Sequence, residues 1–530
     1  MEIRGKWKGP AAAAALFVLF LIWHFFDVRA GIRQTGEQWM AGLYGGLGVW
    51  LAAALSAAFF LLLKKKIRLE LCGALLTVLL GAAAMVSLPP LSAPDEIAHF
   101  ASAYALSSRL LGMEAEDENG NIYLRREDLV LSDLYGASGD EERISLGRTL
   151  EAETWQVLAD HAFPVFTGEE GRQMVPSVIG TIRTTPAAFA APALGIAFAR
   201  LLGLNCVFLA FLGRFMNLLL LAASVYGSMR LLPSGKSLIA GTALLPMALH
   251  LGGSFSYDTF LLAGCFFYGS YCFYLAFVRP QVRKRDVAVL GILIALFGPC
   301  KMVYAVMMGF ALLIPIKKFG SLRFWALSAA AVFGMFALSM AAVNSQTIAV
   351  YAEGSDNYVS WAGEAGYTIP YLLHNPAAYL RMVYETLVHQ TDEWFLTMMG
   401  NAMGNLDPVL SVPSFLIFAM AACLAALSLK KADEPLYLKT GQKIWILFLA
   451  GAGLLGLMTA MLVGWTPLSS GVIEGVQGRY LLPFLPFVLM TAKSGRIVRT
   501  AGDDRRILFY LCAMDACAFL RLFSIVSMRV

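Results

Sequence analysis

The sequence predicts an all-α integral membrane protein with about 13 transmembrane helices and two long external loops. Of its 530 residues, 58% are hydrophobic and only 15% are charged, whereas soluble domains carry about 25% charged residues. The mean hydropathy is +0.66. Apolar runs close to the roughly 20 residues that cross a bilayer recur along the chain, and lipid allows such runs only as helices. These observations exclude a soluble globular protein.

The apolar runs and the loops between them indicate one membrane domain with two external loops. We predict spans at residues 10–27, 41–63, 69–88, 212–231, 237–253, 259–278, 287–300, 302–316, 323–343, 411–428, 444–464, 480–492 and 507–525. The two long loops cover residues 89–211 and 344–410. The apolar stretch 186–205 is predicted as a helix on the outer leaflet, because another span there would reverse the loops that follow.

Lysine and arginine predict the orientation. Basic clusters at residues 64–68, 279–285, 317–323, 430–443 and 493–506 all fall on the same side as the N-terminus. The positive-inside rule makes that side cytoplasmic. The long loops then lie outside, and residues 89–186 hold 17 of the 36 acidic residues, with seven arginines and no lysine. No phosphate-binding loop, dinucleotide-binding pattern or zinc motif is present, and no basic aromatic patch indicates a nucleic-acid partner.

The first external loop begins with two prolines that end the third span, followed by an acidic pair, Asp95 and Glu96. His99 lies one helical turn beyond Asp95, and Tyr104 follows on the same predicted helix. Ser92 or Asp95 could cap this helix, or the two acids could simply be first-turn residues stabilised by the helix dipole. A carboxylate held at a membrane surface can instead have a raised pKa and act as a general base. Asp95 and Glu96 could also hold a divalent cation beside a phosphate, although the sequence does not require one.

Four further charged residues are predicted near or in the membrane. Arg479, between Gln477 and Tyr480, could reach lipid headgroups or make bidentate hydrogen bonds to a phosphate. Gly475 and Gly478 would let the backbone approach such a group. The remaining three residues could either form ion pairs with one another or contact a substrate. They are Arg214, Asp258 and Lys301.

The second external loop offers weaker signals. Pro370 and Pro376 frame a predicted short helix, and Trp394 and Phe395 are predicted as interfacial anchors. The polar candidates, most of them expected to be solvated, are Glu364, His374, Asp392, Glu393 and Asp407.

Several motifs resemble a large uncharacterised family of bacterial polytopic membrane proteins. They are Pro89 to Tyr104 with its PDEIAHF core, Leu212 to Asn217, Ser254 to Asp258, Gly404 to Asp407, and Gly475 to Pro483. The resemblance covers about residues 70–490. The family is similar in turn to the C-type glycosyltransferases, which include oligosaccharyltransferase, protein mannosyltransferase and aminoarabinose transferase. Two features differ from the usual pattern: no tryptophan stands near Asn405, and two spans precede residue 69. The resemblance thus separates an N-terminal transmembrane hairpin, residues 1–68, from a transmembrane domain, residues 69–530.

The resemblance implies a glycosyltransferase-like bundle in the bacterial cytoplasmic membrane with an external active site. It would transfer a sugar from a polyprenyl-phosphate-linked donor to a hydroxyl of a glycan, lipid or protein during envelope synthesis, with inversion. The implied catalytic carboxylates are Asp95 and its neighbour Glu96. The expected phosphate ligands are Arg479, Lys301 and Arg214, and the expected substrate contacts are His99, Tyr104, Asp258, Gln477 and Tyr480.

Two other functions stay open. A transporter or flippase for a lipid or sugar-lipid would line its pathway with intramembrane charges. The sequence shows no inverted repeat and predicts no paired broken helices, which argues against a transporter. A structural partner in an envelope-assembly complex would tolerate loss of the charged residues one at a time.

Overall fold

The computed structural model describes residues 8–35, 38–64, 67–133, 150–353, 357–432, 434, 438–499 and 503–529. Helices dominate these ranges, and three short two-stranded sheets accompany them.

The first part of the chain forms a helical hairpin, a third long helix and a folded loop. Its helices are α1 (Lys8–Thr35), α2 (Trp39–Ala58), α3 (Leu69–Ser87), α4 (Glu96–Leu110), α5 (Leu129–Asp133), α6 (Ala152–Asp160) and α7 (Ala190–Leu201). A π-helical segment, Phe59–Lys64, continues α2, and 3-10 turns cover Arg126–Asp128 and Pro186–Phe189. Strands β1 (Asn121–Arg125) and β2 (Met174–Gly180) pair antiparallel inside the loop.

The middle of the chain contains interrupted helices. They are α8 (Cys206–Leu231), α9 (Lys236–Ala243), α10 (Pro246–Gly252), α11 (Asp258–Phe273) with the π-helical segment Tyr274–Val278, and α12 (Lys284–Phe297). A 3-10 helix, Met302–Leu313, and a 3-10 turn, Ile316–Phe319, lead into α13 (Leu322–Glu353).

The last part returns through four longer helices and several short elements. Its helices are α14 (Ile369–His374), α15 (Pro376–Met399), α16 (Ser414–Ser428), α17 (Thr440–Gly464), α18 (Leu485–Thr491) and α19 (Asp504–Met528), with a 3-10 turn at Gly478–Leu481. Strands β3 (Tyr358–Val359) and β4 (Glu364–Ala365) pair antiparallel, and β5 (Lys430–Lys431) pairs parallel with β6 (Val498–Arg499).

Within these ranges, eight helices are long and apolar enough to cross a membrane: α1, α2, α3, α8, α11, α13, α17 and α19. This supports the predicted all-α membrane protein but not the predicted count of spans. The other predicted spans are short or interrupted: residues 237–253 are split between α9 and α10, residues 302–316 are mainly a 3-10 helix, and residues 480–492 contain the seven-residue α18. Three of the segments predicted as continuous spans are therefore interrupted or irregular.

Two groups of helices build the core that supports the site. Helix α8 packs against α3, α7 and α11, while α19 packs against α1, α2 and α3. Gly195 on α7 lies so close to α8 that an added Cβ would be 2.6 Å from the Leu212 carbonyl oxygen. The apolar helix predicted at residues 186–205 is thus present and packs tightly on its neighbour.

Candidate functional site

The loop between α3 and α4 places Asp95 at the surface. Helix α3 ends at Ser87, and the prolines that follow lead to two left-handed backbone positions, Leu91 at φ 65° and Asp95 at φ 59°. Such φ values are strained for residues other than glycine and often occur at functional sites. Asp95 occupies the N-cap position of α4, yet its side chain makes no capping hydrogen bond and is 53% exposed. The capping interpretation of Asp95 is therefore wrong.

Glu96 points the opposite way, into the protein. Its Oε2 accepts a hydrogen bond from the Ala93 backbone N–H at 2.8 Å, and its Oε1 accepts one from the Phe255 N–H at 2.8 Å. The Nε atom of Arg214 lies 3.6 Å from Oε1. Burial raises the pKa of the Glu96 carboxyl, although Arg214 and the backbone donors favour its charged form. Glu96 thus connects the α3–α4 loop to the segment before α11.

Arg214 and Asn217 hold the same layer together from α8. Arg214 is fully buried and donates to the carbonyl oxygens of Met85 at 3.2 Å and Leu88 at 2.9 Å, at the end of α3. Asn217 donates to the carbonyl oxygens of Ser254, at 2.8 Å, and Ser256, at 3.0 Å. Three of the sequence motifs therefore meet in one buried layer beneath Asp95.

Above this layer, four charged residues form what we call the charge cluster: Asp95, Asp258, Lys301 and Arg479. Lys301 Nζ lies 2.6 Å from Asp258 Oδ1, and Arg479 Nε lies 3.2 Å from Asp258 Oδ2. Arg479 Nη2 lies 3.5 Å from Asp95 Oδ2. The formal charges cancel, which fits the rule that charges taken out of water are paired. Asp95 is the exposed member, since the Arg479 side chain is only 3% exposed.

Tyrosines surround the two cations. Lys301 Nζ lies 4.0 Å from the ring centre of Tyr480 and 4.9 Å from that of Tyr257, distances typical of cation–π contacts. Arg479 Nη2 donates to the Tyr480 hydroxyl at 3.2 Å. Burial lowers the pKa values of Lys301 and Arg479, but nearby tyrosines and Asp258 outweigh it and raise both pKa values above their usual range. Both cations therefore stay charged at neutral pH.

Buried polar atoms without partners lie beside the cluster. Among the residues that the structure describes, both ring nitrogens of His99, Nη1 of Arg479 and Oε1 of Gln477 have no hydrogen-bond partner. The His99 ring contacts the Tyr257 ring edge-to-face, with 4.5 Å between centroids. Burial lowers the pKa of His99 to about 4, although Asp95 and Asp258 raise it, so its imidazole is neutral at pH 7. Buried polar groups normally have partners, so these atoms are available to hydrogen-bond a polar ligand or water.

A family model described as "Predicted membrane protein (DUF2142)" matches residues 78–488. The chain belongs to this family. No curated protein and no solved structure matches the chain significantly. The family match contains the whole charge cluster and begins within α3, so α1 and α2 lie outside it. Its extent agrees with the resemblance expected over about residues 70–490.

The DUF2142 match includes Gly478, whose role differs from the predicted one. A Cβ at Gly478 would lie 1.9 Å from the Trp394 carbonyl oxygen and 2.5 Å from the Met398 nitrogen. Glycine at this position therefore lets α15 pack closely against the turn that carries Arg479, and it does not make room for a ligand. Trp394 is 2% exposed, so its prediction as an interfacial anchor is wrong.

Tyr104 lies in a different buried network. Its hydroxyl donates to Asp128 Oδ2 at 2.7 Å and accepts a hydrogen bond from the Arg125 backbone N–H at 3.0 Å. The Arg200 guanidinium stacks over its ring at 4.6 Å. These contacts occupy the Tyr104 hydroxyl inside the folded loop, so the structure does not bring it into the charge cluster as the sequence analysis expected.

The second predicted loop contributes little to the cluster. Helix α14 confirms the short helix predicted between the two prolines. Asp407 pairs with Arg529 at 2.6 Å, the Glu364 carboxylate accepts from the Ser469 hydroxyl, and His374 Nδ1 contacts the Pro370 carbonyl oxygen at 2.7 Å. Asp392 and Glu393 are exposed on α15. No group of three or more His, Cys, Asp and Glu side chains suited to a metal occurs in the described part of the chain.

Sequence reasoning missed Tyr257, which contacts both His99 and Lys301. A signal was present, because Tyr257 precedes Asp258 within one of the motifs. The sequence gives no distance between that motif and His99, so this contact required the three-dimensional structure.

Proposed function

We propose that this DUF2142 protein transfers a sugar from a polyprenyl-phosphate-linked donor to an acceptor hydroxyl. One observation carries the proposal: the exposed carboxylate of Asp95 lies 3.5 Å from the buried guanidinium of Arg479, one of whose nitrogens has no partner in the described residues. A candidate general base and a candidate anion site are therefore in direct contact. Such a transfer needs both groups at the same place.

The donor phosphate would bind at Arg479 and Lys301. Arginine can make two parallel hydrogen bonds to phosphate, and lysine adds a compact positive charge. Asp258 touches both cations, so we assign it to positioning them rather than to direct substrate contact. As the bond to the sugar breaks, negative charge grows on the phosphate oxygen, and these fixed cations would stabilise it.

Asp95 would act on the acceptor. Its carboxylate takes the proton of the acceptor hydroxyl while that oxygen forms a bond to the anomeric carbon. The bond between that carbon and the phosphate oxygen breaks, and the phosphate leaves with the electron pair. A single displacement of this kind inverts the anomeric centre. The strained backbone of Asp95 fixes the base beside the anion site, as proton transfer demands.

Some of the other predicted residues would contact the substrate, and others hold the site in shape. His99 and Gln477 would form hydrogen bonds with sugar hydroxyls, because their side chains have polar atoms without hydrogen-bond partners among the described residues. The Tyr480 ring packs beside the cations. Glu96 and Arg214 are buried, pair with each other and bond to backbone groups in the layer below, so we assign them to support rather than to catalysis or phosphate binding.

We place the cluster at the external face of the bacterial cytoplasmic membrane. The support is the positive-inside pattern of the basic loops, together with the position of Asp95 directly after the end of α3. Membrane lipids and a glycan, lipid or protein acceptor are the partners that this location implies.

A lipid or sugar-lipid transporter is the second candidate, and the interrupted helices favour it. Helices α9 and α10 break at Leu244 and Leu245, and residues 253–257 separate α10 from α11 directly before Asp258. Lys301 similarly precedes the 3-10 helix Met302–Leu313. Charged residues beside unwound helices are a common feature of transporter binding sites.

The deciding experiment uses the full chain in proteoliposomes with radiolabelled polyprenyl-phosphate hexoses and a mixed envelope-glycan acceptor. We expect the label to appear in acceptor, and we expect Asp95→Asn to lower this transfer by about 10²–10⁴-fold while polyprenyl phosphate still binds. Asp392→Asn, a change to an exposed acid on α15, is the matched control. Transfer that survives Asp95→Asn contradicts the proposal. Movement of the labelled lipid between leaflets without transfer supports the transporter.

A further inference from the structure

A basic pocket lies at the far end of the N-terminal hairpin, outside the residues matched by the family. It has a volume of about 370 Å³ and is formed by α1 and α2. The polar residues that line it are Arg29, Arg33 and Gln38, and two glycines of α2, Gly42 and Gly45, form its opposite side.

The charge of this pocket is unbalanced. Arg29 and Arg33 are one turn apart on α1 and therefore share a face. Neither guanidinium makes a hydrogen bond or ion pair with another residue in the described ranges, and none of the described residues that line the pocket is acidic. By contrast, the four members of the charge cluster pair with one another. Two adjacent free guanidinium groups are suited to one anion with several oxygen atoms, such as a phosphate.

The position of the pocket points to a lipid. In the part of α1 that precedes Arg29, large apolar side chains are exposed. Their exposed fractions include 64% for Leu19, 63% for Trp23 and 62% for Phe26. A candidate span with such a surface faces hydrocarbon, and its end lies at the level of the lipid headgroups. A ligand that carries both a phosphate and acyl chains fits this boundary.

The side of the membrane strengthens the argument. The basic clusters used to orient the chain lie at the N-terminal side of α1, whereas Arg29 and Arg33 lie near its opposite end. Arginine in short loops is enriched on the cytoplasmic side. The positive-inside rule therefore does not explain why Arg29 and Arg33 lie at the proposed external end of α1. Basic pockets between transmembrane helices recur as sites for lipid headgroups.

The shape of the pocket depends on glycine. An added Cβ at Gly42 would meet no atom within 4 Å, so this position faces open space. The nearest atom to a Cβ at Gly45 is in the Phe25 ring, at 3.6 Å. A large side chain at Gly42 would therefore fill the pocket without removing either arginine, which separates the effect of space from the effect of charge.

We propose that Arg29 and Arg33 bind the headgroup phosphate of an anionic phospholipid in this pocket. The site is separate from the charge cluster and from the proposed transfer reaction. A phosphate could also come from polyprenyl phosphate or from solution, and the test distinguishes these sources.

The test measures binding of radiolabelled phosphatidylglycerol to the full purified chain in phosphatidylcholine nanodiscs. We expect the double change Arg29→Gln and Arg33→Gln to weaken saturable binding by about tenfold or more. The matched control, Lys317→Gln with Arg323→Gln, removes the same charge from exposed positions at the other membrane side and should retain binding. Gly42→Leu should weaken binding although both arginines remain. Thermal unfolding of each variant verifies that it is folded.

Each result decides the proposal. Equal loss in the two double variants would show that only net charge matters, and retention in both would show that the arginines do not bind the lipid; either result overturns the proposal. Competition by inorganic phosphate as strong as by phosphatidylglycerol would assign the site to a free anion, and stronger competition by polyprenyl phosphate would assign it to that lipid. Loss confined to the arginine and Gly42 variants, with phosphatidylglycerol the preferred competitor, supports the proposal.

Discussion

Arg479 Nη2 lies 3.5 Å from Asp95 Oδ2, which joins a motif near the start of the DUF2142 match to one near its end. This separation is longer than a strong charged hydrogen bond, and the Asp95 side chain is 53% exposed. A phosphate approaching Arg479 can therefore replace this contact. In the proposed reaction, this replacement would release Asp95 towards the acceptor and would thereby link donor binding to the availability of the base.

Arg479→Ala should weaken binding of polyprenyl phosphate by about 10- to 100-fold, because charge-assisted hydrogen bonds contribute about 1.5–3 kcal/mol each. Binding can be measured by titration of the lipid into the detergent-solubilised chain, without knowledge of the sugar. Arg381→Ala, on an arginine whose side chain is 81% exposed, should leave the affinity unchanged. Equal affinity in wild type and Arg479→Ala would remove Arg479 from the anion site.

Asp258→Asn should destabilise the protein and make its stability depend more strongly on phosphate. The change leaves the buried Arg479 and the partly buried Lys301 with too little negative charge, and breaking a buried ion pair costs about 3–5 kcal/mol. A bound phosphate would restore the balance. We therefore expect polyprenyl phosphate to raise the unfolding temperature more in Asp258→Asn than in wild type. An equal rise in both proteins would argue that the phosphate binds elsewhere.

His99 should make stability fall in mild acid. Its folded pKa, lowered to about 4 chiefly by burial, lies below the value of about 6.5 expected when unfolded. The unfolded chain therefore binds more protons between these values. The contribution of His99 to stability is complete above about pH 6.5 and decreases by about 3 kcal/mol as the pH falls towards 4.

Unfolding of His99→Gln across this pH range checks the assignment. This variant should lose the part of the pH dependence that His99 contributes, while the buried His250 leaves a residual slope. His374→Gln, at an exposed position, should keep the full wild-type dependence. The same slope in wild type and His99→Gln would show that another group titrates.

Part of this molecule follows from local sequence properties. Hydrophobicity and run length predict the eight long helices, since each depends on its own residues. The same rule treats residues 302–316 as a span, whereas the structure has a 3-10 helix at Met302–Leu313. Hydropathy measures the preference of side chains for lipid and carries no information about the hydrogen-bonding pattern of the backbone.

The candidate site shows a second limit. Asp95 and Glu96 are adjacent and chemically alike, yet one faces outwards and the other is buried. The difference arises from the left-handed backbone at Asp95 and from the Phe255 N–H and Arg214, which reach Glu96 from other segments. Sequence identified the residues of the charge cluster, whereas the pairings depend on tertiary packing.

Gly478→Ala tests whether the position of Arg479 depends on close packing with α15. The new methyl group would lie 1.9 Å from the Trp394 carbonyl oxygen, so the turn or the helix must move. Overpacking of this kind costs about 1–3 kcal/mol, and the displacement should also weaken polyprenyl phosphate binding, because it moves the adjacent Arg479. Gly334→Ala is the matched control, since a Cβ there meets nothing within 4 Å. That helical substitution should be neutral or stabilising by up to about 1 kcal/mol. Thermal unfolding and lipid titration of both variants separate the outcomes: a loss of stability with unchanged lipid affinity would mean that α15 supports the fold without positioning Arg479.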